Sequence, residues 1–291
     1  IVASNDKIGQ MAAEHLLDRG LKHFAYCGFD DIFWSVERSE TFSKRIAEAG
    51  FKTHFYKRPK SRVKQLWKTE QLIMADWLKS LPKPVGLMAC NDDRGQQVID
   101  ACKIAGLNMP DNVAIIAVDN DELVCGLTDP TLSSVNLNFE RAGYESAELL
   151  DKLIAGKVKT MGRQIIVRST HVVTRQSTDI LAIDDPLISA ALRFIRRNAK
   201  KDIQISDVVE AVATSRRTLQ QRFRKLMHRS LHDEIMRVRV ELVARLLVET
   251  NLSVSEIAIR LNYASPEHIS RSFKRIKGLT PLAYRKDHGS R

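Results

Sequence analysis

Two stretches near the end of the chain repeat one another. Ile205-Ser206-Asp207-Val208 returns 49 residues later as Val254-Ser255-Glu256-Ile257. After one extra residue, Ser215, Phe223, Leu226 and Ser230 return at an offset of 50 as Ser265, Phe273, Ile276 and Thr280. Self-similarity at a fixed offset marks a duplicated structural unit, and each copy reads helix, tight turn, helix. In the first, Ser206 is the expected cap of a helix through Ala213, Thr214 makes the turn, and Ser215 caps a second helix to about Met227. In the second, Ser255 is the expected first cap and Asn262-Tyr263-Ala264 the turn. Ser265 then caps a helix whose first position is Pro266, and Gly278 stops it. Asn262 stands where a left-handed residue is wanted, a conformation Asn tolerates. A long amphipathic helix over Leu231–Thr250 joins the copies, so residues 187–291 read as an all-α domain with two helix-turn-helix units.

The second helix of each unit can be phased from its apolar residues. Leu219, Phe223 and Leu226 make one buried stripe, and Ile269, Phe273 and Ile276 the other. The opposite faces carry Arg217, Gln220, Gln221 and Arg224, with Arg216 near the start, and Glu267, Ser270, Arg271 and Lys274, with His268 near the start. Arg and Gln pair bidentately with guanine and adenine edges in a major groove. Arg224 and Lys274, further along their helices, are placed for phosphate. Charge agrees with that reading. Residues 184–291 carry 22 Lys/Arg against 12 Asp/Glu, whereas residues 1–183 carry 24 against 23. A basic third on a neutral two-thirds suggests that one part meets a polyanion, here double-stranded DNA.

Leu252-Ser253-Val254-Ser255-Glu256-Ile257-Ala258, Leu261-Asn262-Tyr263, Ser270-Arg271-Ser272-Phe273-Lys274-Arg275 and Gly278-Leu279-Thr280-Pro281 with Tyr284-Arg285 carry a resemblance. Residues 187–286 resemble the DNA-binding domain of the arabinose-regulator (AraC/XylS) family, with Asn262 where that family usually has Gly. The resemblance implies two recognition helices entering successive major grooves about 34 Å apart on one face of the DNA.

The neutral part alternates apolar runs with helical patterns. His23–Tyr26, Val85–Ala89 and Val113–Val118 read as strands, and residues 35–49, 65–80 and 94–105 as helices, the last closed by Gly106 and Pro110. Continuous apolar strands separated by helices predict a parallel sheet covered on both faces, which binds ligands at the carboxyl ends of its strands. Asn91, Asp92, Asp119 and Asn120 fall there, and Trp34 and Arg38 follow the first strand one helical turn apart. Carboxylates, amides, a flat ring and a forked guanidinium make a polyol site. Each residue taken singly also has a plain role, as a cap, a turn residue or packing.

Ile8-Gly9, Ala13-Glu14-His15-Leu16-Leu17, Glu37-Arg38, Ala89-Cys90-Asn91-Asp92, Val118-Asp119-Asn120, Pro130-Thr131-Leu132-Ser133-Ser134-Val135 and Gly143-Tyr144 keep the order seen in the effector domain of the lactose-repressor family, which residues 1 to about 178 resemble. This implies an α/β periplasmic-binding-protein-like fold, mainly its second lobe. It also implies that Arg38, Asn91-Asp92 and Asp119 contact a sugar or purine. The family has roughly a hundred further residues upstream, which build most of the first lobe. The chain does not begin with Met, so a fragment is expected, with the helix near 139–154 belonging to a lobe whose sheet is absent. The linker is expected at the polar residues 179–186, between a sugar-sensing domain (1–178) and the DNA-binding domain (187–291).

The two resemblances combine as they do in bacterial xylose operon regulators, which the chain resembles along its whole length. That implies a sugar effector, D-xylose, an activator of catabolic genes working as a homodimer, and RNA polymerase as a candidate partner. Closure of two lobes on the sugar would shift the dimer so that two basic modules reach paired DNA sites. Another sugar or a purine is the alternative within that class.

Rivals from other classes fit less well. A phosphate-receiving domain would use Asp119 as acceptor with an acidic pair after the first strand, loosely mimicked by Asp30-Asp31, but no strand-end lysine follows. An enzyme with a nucleophilic Cys needs an activated thiolate. Cys27, Cys90, Cys102 and Cys125 form no CxxC pair and read as reduced, buried thiols. No Ser-His-Asp order, phosphate loop, HExxH or cofactor motif is present. Neither a leader-like start nor an apolar run of about 18 residues is seen, so a cytoplasmic protein without membrane contact is expected. Seven basic residues, Lys52, Lys57, Arg58, Lys60, Arg62, Lys64 and Lys68, read as a solvated face.

Overall fold

The computed structural model describes residues 1–57, 66–158, 164–183 and 185–289, in two compact units, 1–182 and 183–291. Arg58, Lys60, Arg62 and Lys64 of the basic run lie outside the described residues.

The first unit is built on a six-stranded sheet of β2 (His23–Cys27), β3 (Thr53–Phe55), β4 (Val85–Ala89), β5 (Val113–Asp119), β6 (Ser133–Leu137) and β8 (Ser169–Val173), in the order β3-β2-β4-β5-β6-β8. The sheet is parallel as expected except at β8, which pairs antiparallel with β6. Alternate residues feed two cores. Phe24, Tyr26, Met88 and Ile116 pack with Ile8, Leu16, Phe42 and Ile46 of α1 (Asn5–Leu17) and α2 (Phe33–Glu48). Ala25, Leu87 and Ile115 pack with Met74, Leu78, Val98 and Cys102 of α3 (Leu66–Ser80) and α4 (Asp92–Ala105). This is the two-faced burial that continuous apolar strands require. A short α5 (Glu122–Leu127) follows β5.

Three elements stand apart from this sheet. β1 (Val2–Ala3) pairs with β7 (Ile166–Val167) in a sheet of their own. α6 (Phe139–Ile154) buries only Ala142, and its Phe139, Leu150 and Ile154 are exposed.

The second unit contains α7 (Pro186–Arg197), α8 (Ile205–Ala211), α9 (Arg216–Met227), α10 (Leu231–Glu249), α11 (Val254–Arg260), α12 (Pro266–Lys277) and α13 (Pro281–His288). Ser215 and Ser265 cap α9 and α12 through the N–H groups of Thr218 and His268. The first helix of each pair begins earlier than the serines predicted. The caps are Gln204 and Ser253, not Ser206 and Ser255, because Asp207 and Glu256 reach back to the N–H groups of Gln204 (2.8 Å) and Ser253 (2.6 Å). Leu226 is a second correction. Near the end of α9 it is 45% exposed, whereas Leu219 and Phe223 are fully buried and Ile276 half-buried.

Arg239, in α10, is buried and donates to the carbonyls of Lys201, Leu261 (2.9 Å) and Asn262 (3.3 Å), and to Asp202 (3.1 Å). Its guanidinium lies over the Tyr263 ring, 4.2 Å from the centroid. One side chain thus ties the loop before α8 to the turn before α12. Arg239→Ala leaves buried carbonyls without donors and should destabilise the second unit by about 2–3 kcal/mol, read as a lower urea midpoint. Arg245→Ala, exposed on the same helix, should change it by less than about 0.5 kcal/mol.

Candidate functional site

The carboxyl edge of the sheet gathers part of the expected polyol set. Gly9 permits the first step: a Cβ there would sit 2.1 Å from Thr41 Oγ1 and 2.6 Å from the Arg38 carbonyl, so α1 and α2 approach closely only over glycine. Arg38 is thereby held inside. Its Nε donates to Asn5 Oδ1 (3.0 Å) and its Nη1 to the Cys90 carbonyl, and its guanidinium lies 4.9 Å from the centroid of the Trp34 ring. Trp34 is half-buried and edge-on to Phe29. The remaining arm, Nη2, stands 3.6 Å from Asp119 Oδ1, an ion pair longer than a direct hydrogen bond. The Arg38 side chain is 5% exposed and that of Asp119 33%, so the carboxylate is the accessible partner. Burial pushes the Asp119 carboxyl up to about 6, against the opposing pull of Arg38.

Asn91 lies beside this cluster as the cap of α4, its Oδ1 accepting from Arg94 N–H (3.0 Å). Asp92 and Asn120 are placed differently. The Asp92 carboxylate is buried and accepts from the Ser134 hydroxyl (2.6 Å) and the Asp121 N–H (2.7 Å), and burial raises it to about 6. Asn120 donates its N–H to Ser134 Oγ (3.0 Å) and its amide to Asn136 Oδ1 (3.0 Å), and accepts from Arg175 Nη2 (2.8 Å). The structure therefore brings together Trp34, Arg38 and Asp119, with Asn91 next in the chain to the Cys90 carbonyl that Arg38 grips, while Asp92 and Asn120 hold the strand ends. Sequence reasoning missed Asn5 and Ser134, whose only signal was a polar residue beside a strand or helix end. It also missed Arg175, which follows β8.

In the second unit Arg216, Arg217, Gln220, Gln221 and Arg224 are all exposed along α9, opposite the buried Leu219 and Phe223. On α12, Glu267, Arg271 and Lys274 are exposed, and His268 and Ser270 half-exposed, with His268 edge-on to Tyr263. Lys225 and Arg275, not among the expected DNA contacts, extend both basic faces into the last turns. The turn before each helix uses a left-handed residue at the same place in the repeat, Ala213 at φ 49° and Asn262 at φ 50°. Asn was the expected choice; Ala was not anticipated.

All four cysteines are buried, and burial raises Cys27 to about 11 and Cys90, Cys102 and Cys125 to about 12, so the thiols stay protonated. Among the described residues no cluster suits a metal, and no helix is long and apolar enough to cross a membrane.

A periplasmic binding protein-like domain model matches residues 13–178, and a helix-turn-helix domain model residues 208–287. The chain is 31% identical over 288 residues to the xylose operon regulatory protein of Haemophilus influenzae, covering 98% of this chain and 74% of that one. It is equally identical, 31% over 288 residues, to the protein of the same name from Escherichia coli K12, covering 73% of it. Among solved structures, one described as the xylose-binding transcription activator XylR superposes with a TM-score of 0.55 at 30% identity, covering 99% of this chain and 76% of that one. With this domain order and that similarity along nearly its whole length, the chain belongs to the family of xylose operon regulatory proteins.

Proposed function

We propose that this chain is a D-xylose-responsive activator of sugar-catabolic genes, acting as a homodimer that places its two recognition helices in successive major grooves and meets RNA polymerase at the promoter. The observation that carries the sugar reading is the 3.6 Å gap between Arg38 Nη2 and Asp119 Oδ1. A donor and an acceptor held just beyond mutual hydrogen-bond reach suit a hydroxyl, which accepts from one and donates to the other. The Trp34 ring supplies an apolar wall, and the Asn91 amide a further donor. A pentose presents such hydroxyls on adjacent carbons. The similarity to xylose regulators favours D-xylose over other sugars or a purine. Regulation then requires the sugar to bind two arrangements of the protein unequally.

The two recognition helices differ in what they can read. Arg217 and Glu267 occupy equivalent positions, fifty residues apart. Arg suits guanine, and a carboxylate accepts from the cytosine amino group. The two half-elements of the DNA site should therefore differ in sequence.

Asp119→Asn should weaken D-xylose binding by about 2 kcal/mol, the scale of a charged hydrogen bond, measured by titration calorimetry. Lowering the pH through about 6 should weaken binding likewise, since the hydroxyl loses its charged acceptor. The unliganded first unit should show the opposite sign. A carboxyl raised in the folded state takes up protons there first, so acidification from pH 7 to 5 relieves the cost of the buried charges on Asp92 and Asp119 and raises thermal stability. Affinity that stays flat across that window would remove Asp119 from the sugar's acceptors.

On DNA, Arg217→Ala should cost about 1–3 kcal/mol on the specific site and little elsewhere. Arg224→Ala should weaken every sequence alike and reduce the slope of log K against log salt by about 1. Fluorescence anisotropy at several salt concentrations separates the two.

A further inference from the structure

Asp119 and Asn120 are consecutive non-glycine residues with φ of 104° and 56°. Side-chain-bearing residues rarely adopt this backbone, and two in succession persist only where the surroundings over-determine them. The determinants are visible. Asn120 is held at its N–H by Ser134, at its amide nitrogen by Asn136, and at its amide oxygen by Arg175. Asp121, the next residue, is held at its N–H by Asp92. Of these anchors only Arg175 lies outside the strand ends and the helix that meet here. It follows β8, in the segment that leads out of the first unit.

Arg175 is itself fixed from both sides. Its Nη1 donates to the Leu132 carbonyl (2.8 Å), and its N–H donates to Ser133 Oγ (2.8 Å). The residues after it are stitched to the same strand and to α1. Ser177 Oγ accepts from Ser133 N–H and donates to the Ile115 carbonyl, and the Thr178 hydroxyl meets Ser133 Oγ (2.7 Å) and His15 (2.8 Å). Arg19 donates to the Thr178 carbonyl (2.6 Å), and Ala182 N–H to the Arg19 carbonyl (2.8 Å). The same guanidinium therefore touches the corner that presents Asp119 and opens the segment through which the chain leaves the unit.

We propose that Arg175 is a positioning residue of the sugar site. It holds the left-handed Asp119–Asn120 corner through the Asn120 amide, and it joins the state of that corner to the exit segment 175–182. It acts on the sugar through Asp119, one residue from its own contact. The inference rests on the sugar reading above. It goes beyond that reading by assigning a residue outside the Trp34–Arg38–Asp119 cluster, and a physical link from the site to the chain's exit.

The test uses the full chain with D-xylose as probe. Arg175→Ala should lower xylose affinity at least about tenfold, the scale of losing one anchor of a charged hydrogen-bonding group. Asn120→Gly removes the amide that Arg175 grips while allowing the same backbone. In that background Arg175→Ala should add less than a further twofold. Losses that multiply instead would mean that Arg175 acts independently of Asn120, and would overturn the proposal. So would an Arg175→Ala affinity within twofold of the parent. If the alanine variant fails to fold, Arg175→Gln takes its place, with the same outcomes. A sugar-independent readout separates this proposal from the reading beneath it. In unliganded protein, Arg175→Ala should speed amide hydrogen exchange at Asn120 and Asp121 at least tenfold while leaving Phe24 and Ala25 of β2 unchanged. If the parent chain binds no xylose, the sugar reading fails, and exchange alone decides whether Arg175 holds the corner. If xylose binds the parent without slowing exchange at Arg175 and Ser177, the link to the exit segment is overturned.

Discussion

The architecture of the carboxyl edge of the sheet depends on one buried carboxylate. Asp92 opens α4 with its side chain turned inward, and it accepts from the Ser134 hydroxyl of β6 and the Asp121 N–H just past β5. Burying a carboxylate is costly unless it is hydrogen-bonded, and the rise to about 6 records the residual cost. In return, the ends of three neighbouring strands are locked in one arrangement. Asp121 is then free to cap α5 at Leu123 and Val124, and Asp119 is left facing Arg38 rather than the core. Asp92, which the sequence offers as a ligand contact, has both carboxylate oxygens engaged in fixing the strand ends on either side.

The helical unit solves its own geometric problem with a buried cation. Arg239 projects from α10 and satisfies carbonyls in two turns that belong to different copies of the repeat. Recognition helices are useful only if their separation matches the pitch of DNA, so the element between them has to be stiff and both turns have to be fixed to it. α10 supplies the first condition, and the forked, always-charged guanidinium the second. Lys277 and Arg285 add further ties, to Glu241 (2.6 Å) and the Leu247 carbonyl (3.0 Å). Both units thus place a buried, hydrogen-bonded charge, Asp92 in one and Arg239 in the other, where chain segments meet.

Periodic features were legible in the sequence because they repeat a local rule. The apolar strands β2, β4 and β5, the capped recognition helices and the outward basic faces follow from spacing alone. The three-residue β3 is too short to carry a pattern, and the antiparallel edge β8, which reads Ser-Thr-His-Val-Val, has no continuous apolar run to mark it. The serine caps misled for a related reason. Ser206 and Ser255 satisfy the local rule, yet the reciprocal bonds of Asp207 and Glu256 select an earlier start. Asn91, Arg38 and Trp34 were recoverable because a strand end followed by a helix localises them. Asn5, Ser134 and Arg175 were not, because their roles lie in the partners Arg38, Asp92 and Asn120, 33, 42 and 55 residues away, which no local pattern encodes.

The repeat explains why one scaffold can carry two chemistries. Packing constrains Leu219 and Phe223 to match Ile269 and Phe273, and turn geometry demands a left-handed residue at both Ala213 and Asn262. Nothing in packing constrains the outer faces, where Arg217 stands against Glu267 and Gln221 against Arg271. Duplicated units of this kind are held alike by their cores and set apart by their surfaces. The sensor follows the same division. Asp92, Ser134 and Asn120 are committed to holding the edge, whereas Asp119, Asn91 and Trp34 keep surface or bonding capacity to spare. A change of effector within such a scaffold would therefore fall on the second group. A change in the first would alter the edge itself, by releasing the strand ends that Asp92 and Ser134 hold.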